Sequence, residues 1–310
     1  MPKIAVISLK QLGDTLLLQP AIDYLSRSSG EPVALTAKPA FAPLLELMPG
    51  AREPEPGARY QSLWVFERGS KAARKAFFTS ARDKHLVLIK NHFQRRYHRL
   101  VYSRIHLEHN RKHNLSCLYH RMACGGSEPF QPARLERPPE RWAGSSQPPA
   151  PYILLNPTAA WESKAWSVKQ WVRVIERLRA EGGGRAIVIS GGGGEWERRH
   201  AAEIVRCAGG DNILELAGRT SLRELLYLVS RAALVVTIDG ATAHFASALG
   251  RPTLVLFGPT KSEYWHWGSA RSVSLRARDF TQVRFPPLEH LPDGVVSDAA
   301  LELLRKFPPA

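Results

Sequence analysis

The chain has 310 residues, of which 44% are hydrophobic and 23% charged, and its formal net charge is +15. This length and composition are typical of a folded protein of two domains and exclude a largely disordered chain; no apolar run approaches the roughly 20 residues that span a bilayer. The three scattered cysteines lack the spacing of a disulfide framework or a zinc site, whereas the positive charge predicts an anionic partner: nucleic acid, a membrane face or a phosphorylated substrate.

The first half of the chain alternates strands and helices. An apolar run at residues 4–9 predicts a strand, and apolar positions at helical spacing between Leu17 and Leu25 predict a helix that Pro20 either starts or kinks. Because the chain enters its first strand directly, without a signal peptide, we expect a cytoplasmic protein. Further strands are expected at 33–37, 63–66 and 86–89, helices at 41–48 and 70–81, and a helical pattern rich in Arg, Lys and His at 90–120.

Small residues and prolines at 144–151 form the clearest break in the chain. They predict a linker between an N-terminal domain, residues 1–146, and a C-terminal domain, residues 152–310. The alternation of elements predicts an α/β protein with two facing, Rossmann-like doubly wound sheets. For the terminal helix we leave open that it packs back on the first domain. In the second half, strands are expected at 152–155, 186–189, 213–216, 234–238 and 253–257, and helices begin at Ser167, after Gly194, at the Ser221–Glu224 capping box and at Ser297.

Loops follow four strands of the second half, and parallel strands bring such loops to one edge of the sheet. In the first loop, Lys164 with Thr158 is a candidate phosphate ligand; the alternative is a solvated lysine between two tryptophans. The glycines at 191–194 suit a nucleotide, but they complete neither a GxGxxG nor a Walker motif, so the signatures of dinucleotide redox and NTP hydrolysis are missing. Glu195 is a candidate ribose ligand, or only a charge that favours the helix dipole.

Polar residues also follow the buried strand at 234–238. Asp239, Thr242 and His244 stand between this strand and a short helix whose N-terminal amides suit a phosphate. The alternative is that Asp239 caps the helix and His244 packs in the core. In the first half, Asp14 follows Gly13 at a strand end, where a carboxylate could take a proton from an attacking hydroxyl or serve as a helix N-cap.

The middle of the first domain is strongly basic, which predicts a surface for an acidic acceptor or for anionic lipid headgroups. Three histidines, His106, His109 and His113, could share a helical face and hold a metal. No carboxylate or cysteine joins them and the surrounding cations oppose a metal ion, so we expect none. The cations of this belt are Lys90, Arg95, Arg96, Arg99, Arg104, Arg111 and Lys112.

An ordered set of segments resembles the ADP-heptose lipopolysaccharide heptosyltransferases and their bacterial relatives. The resemblance covers nearly the whole chain and implies the GT-B architecture, a nucleotide-activated sugar donor, an inverting reaction, and no metal or other cofactor. The segments are IAVISLKQLGDTLLLQPAIDYL, AFAPLLELMPG, NPTAAWESKAWSVKQWVRVIERL, ISGGGGE, the stretch from ELAGRT to LFGPT, and the tryptophans Trp265 and Trp267.

The resemblance also implies roles for single residues. Asp14 resembles the family's general base, which deprotonates the acceptor hydroxyl. Lys164, with Thr158 beside it, resembles the residue that neutralises the diphosphate leaving group, and Glu195 resembles the ribose partner. The donor-binding turn comprises Asp239, Gly240, Ala241 and His244.

The chain departs from many relatives at two places. Gly240 and Ala241 stand where Thr or Ser and then Gly are common, and Lys10 and Gln11 stand where small residues are common. These departures bear on which sugar is transferred and on the shape of the acceptor pocket. We assign acceptor binding to Lys10, Gln11, Arg95, Arg96 and Arg99.

The expected function is therefore a cytoplasmic glycosyltransferase, peripheral on the inner membrane face. It would move a heptose or similar sugar from ADP-heptose to a lipopolysaccharide core or related lipid-linked saccharide. Two alternatives stay open: a basic nucleic-acid-binding protein, suggested by the charge and by tyrosines among the arginines, and a sugar-nucleotide epimerase of similar fold. Against the first, the sequence contains no recognised nucleic-acid module, and charge explains none of the strand-end loops.

Overall fold

The computed structural model describes residues 4–89, 98–108, 113–145, 148 and 150–309. The chain divides into two compact units, of which the first comprises Met1–Glu136 and Glu263–Trp267 and the second Arg137–Ser262 and Gly268–Ala310. Each unit contains a parallel sheet with helices, which confirms the expected α/β class with two Rossmann-like doubly wound domains. None of the helices within the described ranges combines the length and apolar character needed to cross a bilayer.

The described part of the first unit contains one six-stranded sheet. Its strands are β1 Ile4–Ile7, β2 Val33–Thr36, β3 Ala51–Arg52, β4 Tyr60–Val65, β5 Ala81–Ile89 and β6 Arg104–Glu108. Its helices are α1 Leu12–Leu16, α2 Gln19–Ser29, α3 Ala42–Glu46, α4 Ser70–Phe78, α5 His98–Val101 and α6 Leu115–Cys124.

The strand order in the first unit is β3-β2-β1-β4-β5-β6, and all neighbouring strands are parallel. The order reverses between β1 and β4, since Ala5 of β1 pairs with Ala34 on one side and with Leu63 on the other. Ligands of open parallel sheets bind beyond the carboxyl ends of the strands at such a reversal. The loops that follow β1 and β4 are therefore the functional edge of this unit.

The second unit repeats this topology. Its sheet has the order β12-β11-β10-β7-β8-β9, again parallel throughout, and the order reverses between β7 and β10. Its strands are β7 Ile153–Asn156, β8 Ile187–Ile189, β9 Ile213–Glu215, β10 Leu234–Ile238, β11 Thr253–Phe257 and β12 Ser272–Arg276. The remaining helices are α7 Val168–Glu181, α8 Glu195–Ala208, α9 Leu222–Arg231, α10 Ala241–Ala248, α11 Ser262–Trp265 and α12 Asp293–Lys306.

Helix α7 shows how the sequence builds the second core. The Ser167 hydroxyl accepts a hydrogen bond from the backbone N–H of Gln170 at 3.3 Å and so caps the helix, as expected. The apolar face of α7 is buried against the sheet, where each large side chain contributes roughly 1.5–3 kcal/mol to folding. Residues of α12 join the same core.

Two expectations about the second unit need correction. Ser297 does not start the last helix, because α12 begins at Asp293 after Pro292 and the Ser297 hydroxyl donates back to the Asp293 carbonyl at 2.9 Å. The second unit begins at Arg137, earlier than the expected boundary at 146. Contacts explain this: Tyr227 of α9 donates to Glu140, and the Arg223 guanidinium lies 5.5 Å from the centroid of the buried Trp142 ring.

The basic segment between 90 and 120 is not helical throughout its described part. Arg104–Glu108 forms strand β6, at the edge of the first sheet, where Leu86 pairs with Ile105 and Val87 with His106. Helices α5 and α6 flank this strand. Pairing with β5 outweighs the local helical spacing, because β propensity depends on the neighbouring strand.

Candidate active site

A buried ion pair lies at the reversal of the second sheet. The Lys164 ammonium donates to Asp239 Oδ2 at 2.6 Å and to the Asp239 carbonyl oxygen at 3.3 Å. The Thr260 hydroxyl donates to the same Oδ2 at 2.7 Å. Only 17% of the Lys164 side chain and 7% of the Asp239 side chain are exposed. Because a charge this far from water is costly alone, each member of the pair depends on the other.

The fold explains this pairing. Lys164 ends a short 3-10 turn in the loop after β7, whereas Asp239 directly follows β10, and β7 and β10 are neighbours. Thr260 comes from the loop after β11, on the other side of β10. The Lys164 ammonium also lies 5.3 Å from the centroid of the Trp161 ring. The alternative of a solvated lysine is therefore wrong, and three loops converge on one fixed cation.

The glycine loop forms a second polar cluster on the same edge. The Glu197 carboxylate accepts from the Gly192 and Gly194 amides at 3.1 and 3.3 Å and from the Thr158 hydroxyl at 3.2 Å. A Cβ built on Gly192 would lie 2.3 Å from this carboxylate, so a larger residue there would displace the Glu197 side chain from its hydrogen bonds. Thr158 is buried, as a residue that positions a loop should be. Glu197 thus ties the loop after β7 to the loop after β8.

Glu195 behaves differently from Glu197. It is exposed and is the first residue of α8, whose N-cap is Gly194, whereas Glu197 is the third residue of the helix and accepts from the Gly194 amide. Its carboxylate is placed to favour the positive end of the helix dipole, and its exposure also leaves it accessible to a ligand. Its assignment to a ribose stays a prediction.

The turn that was assigned to the donor follows β10 directly, and this assignment stays a prediction. Gly240 occupies the N-cap of α10, Ala241 is its first residue, and Thr242 and His244 are buried in the helix. The N-terminal amides of α10 therefore begin two residues after the ion-paired Asp239. This arrangement joins a positive helix end to a fixed cation, which together suit a phosphate group.

Asp14 lies at the corresponding reversal of the first sheet. It stands in the first turn of the short helix α1, half-buried, and Gln11 rather than Asp14 occupies the N-cap. The N-cap alternative for Asp14 is therefore wrong. The Glu67 side chain, from the loop after β4, accepts from the Leu9 amide. Two carboxylates thus flank the loop that follows β1.

Lys10 is held within this cluster. Its ammonium donates to the Tyr119 hydroxyl. Burial lowers the pKa of Lys10, but the contact with Tyr119 and the negative charges of Asp14 and Glu67 outweigh it, so the pKa is raised overall. Lys10 therefore carries its positive charge at neutral pH, beside the candidate base.

The other residues assigned to acceptor binding are less informative. The exposed Gln11 accepts from the Lys38 ammonium at 3.2 Å through its side-chain oxygen. Arg99 is exposed on α5. Arg95 and Arg96 lie outside the described residues, as do Lys90, Arg111 and Lys112 of the belt.

The expected helical face of three histidines is wrong, because His106 lies on strand β6. Its Nε2 is 3.0 Å from Nδ1 of His85 on β5, and both rings stack with Trp64. Burial first, then His106 and Arg104, lowers the pKa of His85 to about 4. His109 lies outside the described ranges, within which no group of three potential ligands is placed to hold a metal.

The model of glycosyltransferase family 9 (heptosyltransferase) matches residues 72–284, more than half of the chain. The chain belongs to glycosyltransferase family 9. The matched range contains Lys164 and Asp239 and begins after Asp14.

Individual relatives agree with this family 9 assignment. A lipopolysaccharide heptosyltransferase 3 of Escherichia coli is 29% identical over 132 residues, which cover 43% of this chain and 38% of the relative. The chain spans only about a third of the length of the curated relatives it matches. Two solved structures share the fold. One is that of E. coli ADP-heptose LPS heptosyltransferase II, with a TM-score of 0.83 and 19% identity; the match covers 98% of this chain and 99% of that one. The other is that of E. coli heptosyltransferase WaaC with ADP, with a TM-score of 0.77 and 16% identity; the match covers 97% of this chain and 99% of that one.

Sequence reasoning missed three residues of the family 9 chain's candidate site. Glu197 stands at the third helical position after the Gly194 N-cap, where a glutamate commonly accepts from the N-cap amide, a signal present in the sequence. Thr260 follows β11 at the same edge as Asp239, which a reading of parallel strands could have found. Glu67 follows β4 at the reversal of the first sheet, but nothing in the local sequence distinguishes it from a surface glutamate.

Proposed function

We propose that this chain transfers a heptose or a similar sugar from ADP-heptose to a lipopolysaccharide core or related saccharide. Family 9 membership supports glycosyl transfer, and a relative of the same fold solved with ADP supports an ADP-linked donor. The observation that carries the proposal is the Lys164 ammonium, held by Asp239 beside the N-terminus of α10, because an ammonium and free helix amides are donors for the oxygens of a diphosphate.

The reaction follows from these residues. The acceptor hydroxyl oxygen attacks the anomeric carbon, the bond from that carbon to the diphosphate breaks, and Asp14 takes the hydroxyl proton. The diphosphate leaves with the electron pair, and Lys164 with the α10 amides stabilises the negative charge that develops. A single displacement of this kind inverts the anomeric centre. Lys164 supplies the charge that a divalent ion would otherwise supply, so the reaction needs no metal.

The donor ligands have separate tasks in this proposal. Asp239 holds Lys164 in place, and Thr260 holds Asp239. Thr158 and Glu197 fix the glycine loop, while the exposed Glu195 binds the ribose hydroxyls. Lys10 and Gln11 orient the acceptor. Because the net charge is +15, we also propose cytoplasmic action with peripheral contact at the anionic inner membrane face.

A product assay tests this function. The purified chain is incubated with ADP-heptose, UDP-glucose or GDP-mannose and a lipopolysaccharide acceptor that lacks outer heptose, with and without EDTA. We expect a heptosylated product of inverted anomeric configuration, by mass spectrometry and NMR, from ADP-heptose only and unchanged by EDTA. Transfer from UDP-glucose alone, retention of configuration or loss with EDTA would contradict the corresponding part of the proposal.

A thermal-shift panel separates the two other function classes. A bound donor stabilises the folded state by mass action, so ADP should raise the Tm of the protein. A salt-sensitive rise with oligonucleotides and none with ADP would favour a nucleic-acid-binding protein. Conversion of UDP-N-acetylglucosamine without an acceptor would favour an epimerase.

A further inference from the structure

Large apolar side chains are exposed together on helices α4 and α5 of the first unit. Phe77, Phe78 and Leu100 are 60%, 76% and 83% exposed. Beside them lies an open groove of about 260 Å³ lined by Ser70, Ala73, Arg74, Phe77 and Val101. Exposed apolar clusters of this kind mark interaction sites rather than ordinary surface.

Cations surround these apolar side chains. Lys71, Arg74 and Lys75 are exposed on α4, and Arg99 is exposed on α5. The sequences of the two helices, SKAARKAFF and HRLV, contain no aspartate or glutamate. We call this surface, formed by Phe77, Phe78, Leu100 and the four cations, the α4–α5 face.

The exposure of the two phenylalanines is built into the fold. The Lys84 ammonium, from strand β5, donates to the Ala76 and Phe77 carbonyl oxygens at 2.7 and 3.1 Å. The Thr79 hydroxyl donates to the Lys75 carbonyl oxygen at 2.8 Å. The carbonyls of Lys75, Ala76 and Phe77, in the last turn of α4, are therefore satisfied, and a lysine at this end also favours the helix dipole. The helix end that carries the aromatic pair is fixed.

The geometry of the aromatic pair argues against nucleic acid. The Phe77 and Phe78 rings meet edge to face, with an interplanar angle of 89°. Successive bases of a single strand stack on roughly parallel rings, which this pair does not offer. Aromatic rings that enter the acyl boundary, with long cationic side chains reaching the headgroups around them, match the chemistry of an anionic bilayer surface.

We infer that the α4–α5 face docks on an anionic phospholipid bilayer. Phe77, Phe78 and Leu100 enter the boundary between headgroups and acyl chains, the groove beside them accepts part of a lipid chain, and the cations bind lipid phosphates. The inference gives a surface to the membrane contact proposed above. It does not depend on the transfer chemistry, because the residues changed in the test below lie outside the candidate active site; of the α4–α5 face, Arg99 alone was also assigned to acceptor binding.

Vesicle co-sedimentation with the full chain tests the inference. Vesicles of phosphatidylcholine alone and of phosphatidylcholine with 30% phosphatidylglycerol serve as probes, a composition chosen to give roughly the surface charge of an anionic leaflet. We expect binding to the anionic vesicles that weakens with salt. The double variants F77S/F78S and K71E/K75E should each bind at least roughly tenfold more weakly, whereas F77L/F78L should bind like the wild type.

Matched variants of the second unit serve as controls. F280S/F285S removes two exposed phenylalanines, and K169E/R199E reverses two exposed cations, outside the α4–α5 face. Both should bind like the wild type. Three results would overturn the inference. F77S/F78S could bind the anionic vesicles as tightly as the wild type, F280S/F285S could lose as much vesicle binding as F77S/F78S, or the protein could bind an oligonucleotide more tightly than anionic vesicles. ADP-induced stabilisation, measured on the same variants, should be unchanged, so failure of docking and failure of the proposed function are distinguishable.

Discussion

Asp239 holds the Lys164 ammonium at 2.6 Å while its own Oδ2 also accepts from Thr260. The pair lies beyond the carboxyl ends of β7 and β10, the two central strands of the second sheet, where the strand order reverses. Such a pair has two functions in this account. It lowers the cost of burying a cation, and it fixes that cation where a leaving diphosphate needs charge.

Asp239→Asn should weaken both functions. The amide keeps the shape but leaves Lys164 as an unpaired, largely buried charge, for which a loss of about 3 kcal/mol in the free energy of unfolding is typical. We expect a lower Tm and a smaller stabilisation by ADP. Thr260→Val, which removes one hydrogen bond and no charge, should cost about 1 kcal/mol. Urea unfolding of both variants measures the difference, and equal losses would contradict the order assigned to the two contacts.

Glu197→Gln and Glu195→Gln should differ in their effect on stability. Glu197 binds two loop amides and Thr158, so its loss should reduce stability and raise the KM for donor together, because the glycine loop loosens. Glu195 is exposed, so its substitution should raise only the KM for donor. Tm and donor kinetics on both variants provide the measurement. A stable Glu197→Gln enzyme with normal KM would show that the loop does not need this carboxylate.

Asp14→Asn should reduce kcat with little change in donor KM. Loss of a general base typically costs a factor of about 10²–10⁴, and the asparagine cannot accept the acceptor proton. The pH–rate profile should also lose its acidic limb, which a merely structural role would not affect. Glu67→Gln is the matched control, since it removes the neighbouring carboxylate. If Glu67→Gln abolished the acidic limb and Asp14→Asn kept it, the roles would be exchanged.

Acid should destabilise the first unit through His85. Its pKa is about 4 in the folded state against 6.5 ordinarily, so between these values the unfolded chain binds a proton that the folded chain does not. The contribution of His85 to the free energy of unfolding is complete above pH 6.5 and is lost as the pH falls toward 4. The free energy changes by at most about 1.4 kcal/mol per pH unit in this range. His85→Gln should reduce this slope in urea unfolding at pH 4.5 to 7. An unchanged slope would assign the acid sensitivity to other groups.

Much of the second unit could be predicted from its sequence, because its central strands are continuous apolar runs and its helices carry clear caps. Strands 234–238 and 253–257, the Ser167 cap and the Ser221–Glu224 capping box are all confirmed. The loops that hold Lys164 and Asp239 were recognised for the same reason. Local pattern and tertiary fold agree in this part of the chain.

The features that could not be predicted from the sequence depend on contacts between residues far apart in the chain. Lys164 and Asp239 were both recognised as candidates, but their pairing arises from the adjacency of β7 and β10, which spacing does not encode. Glu197 was not singled out although it holds the glycine loop, whereas the assignment of Glu195 to a ribose stays a prediction; the two side chains differ because residues two apart on a helix point in different directions. Strand β6 was missed because an edge strand exposes part of its side chains and lacks the alternation of a buried strand.

The central claim is that the Lys164 charge stabilises the leaving diphosphate. The most direct measurement is kcat for heptose transfer by Lys164→Met, with Lys169→Met, an exposed lysine on α7, as the matched control and circular dichroism to confirm folding. Loss of one preorganised donor typically costs about 3 kcal/mol, so we expect kcat to fall by roughly 100-fold or more in a folded Lys164→Met protein and to stay normal in Lys169→Met. A folded Lys164→Met enzyme that transfers sugar at the wild-type rate would contradict the account.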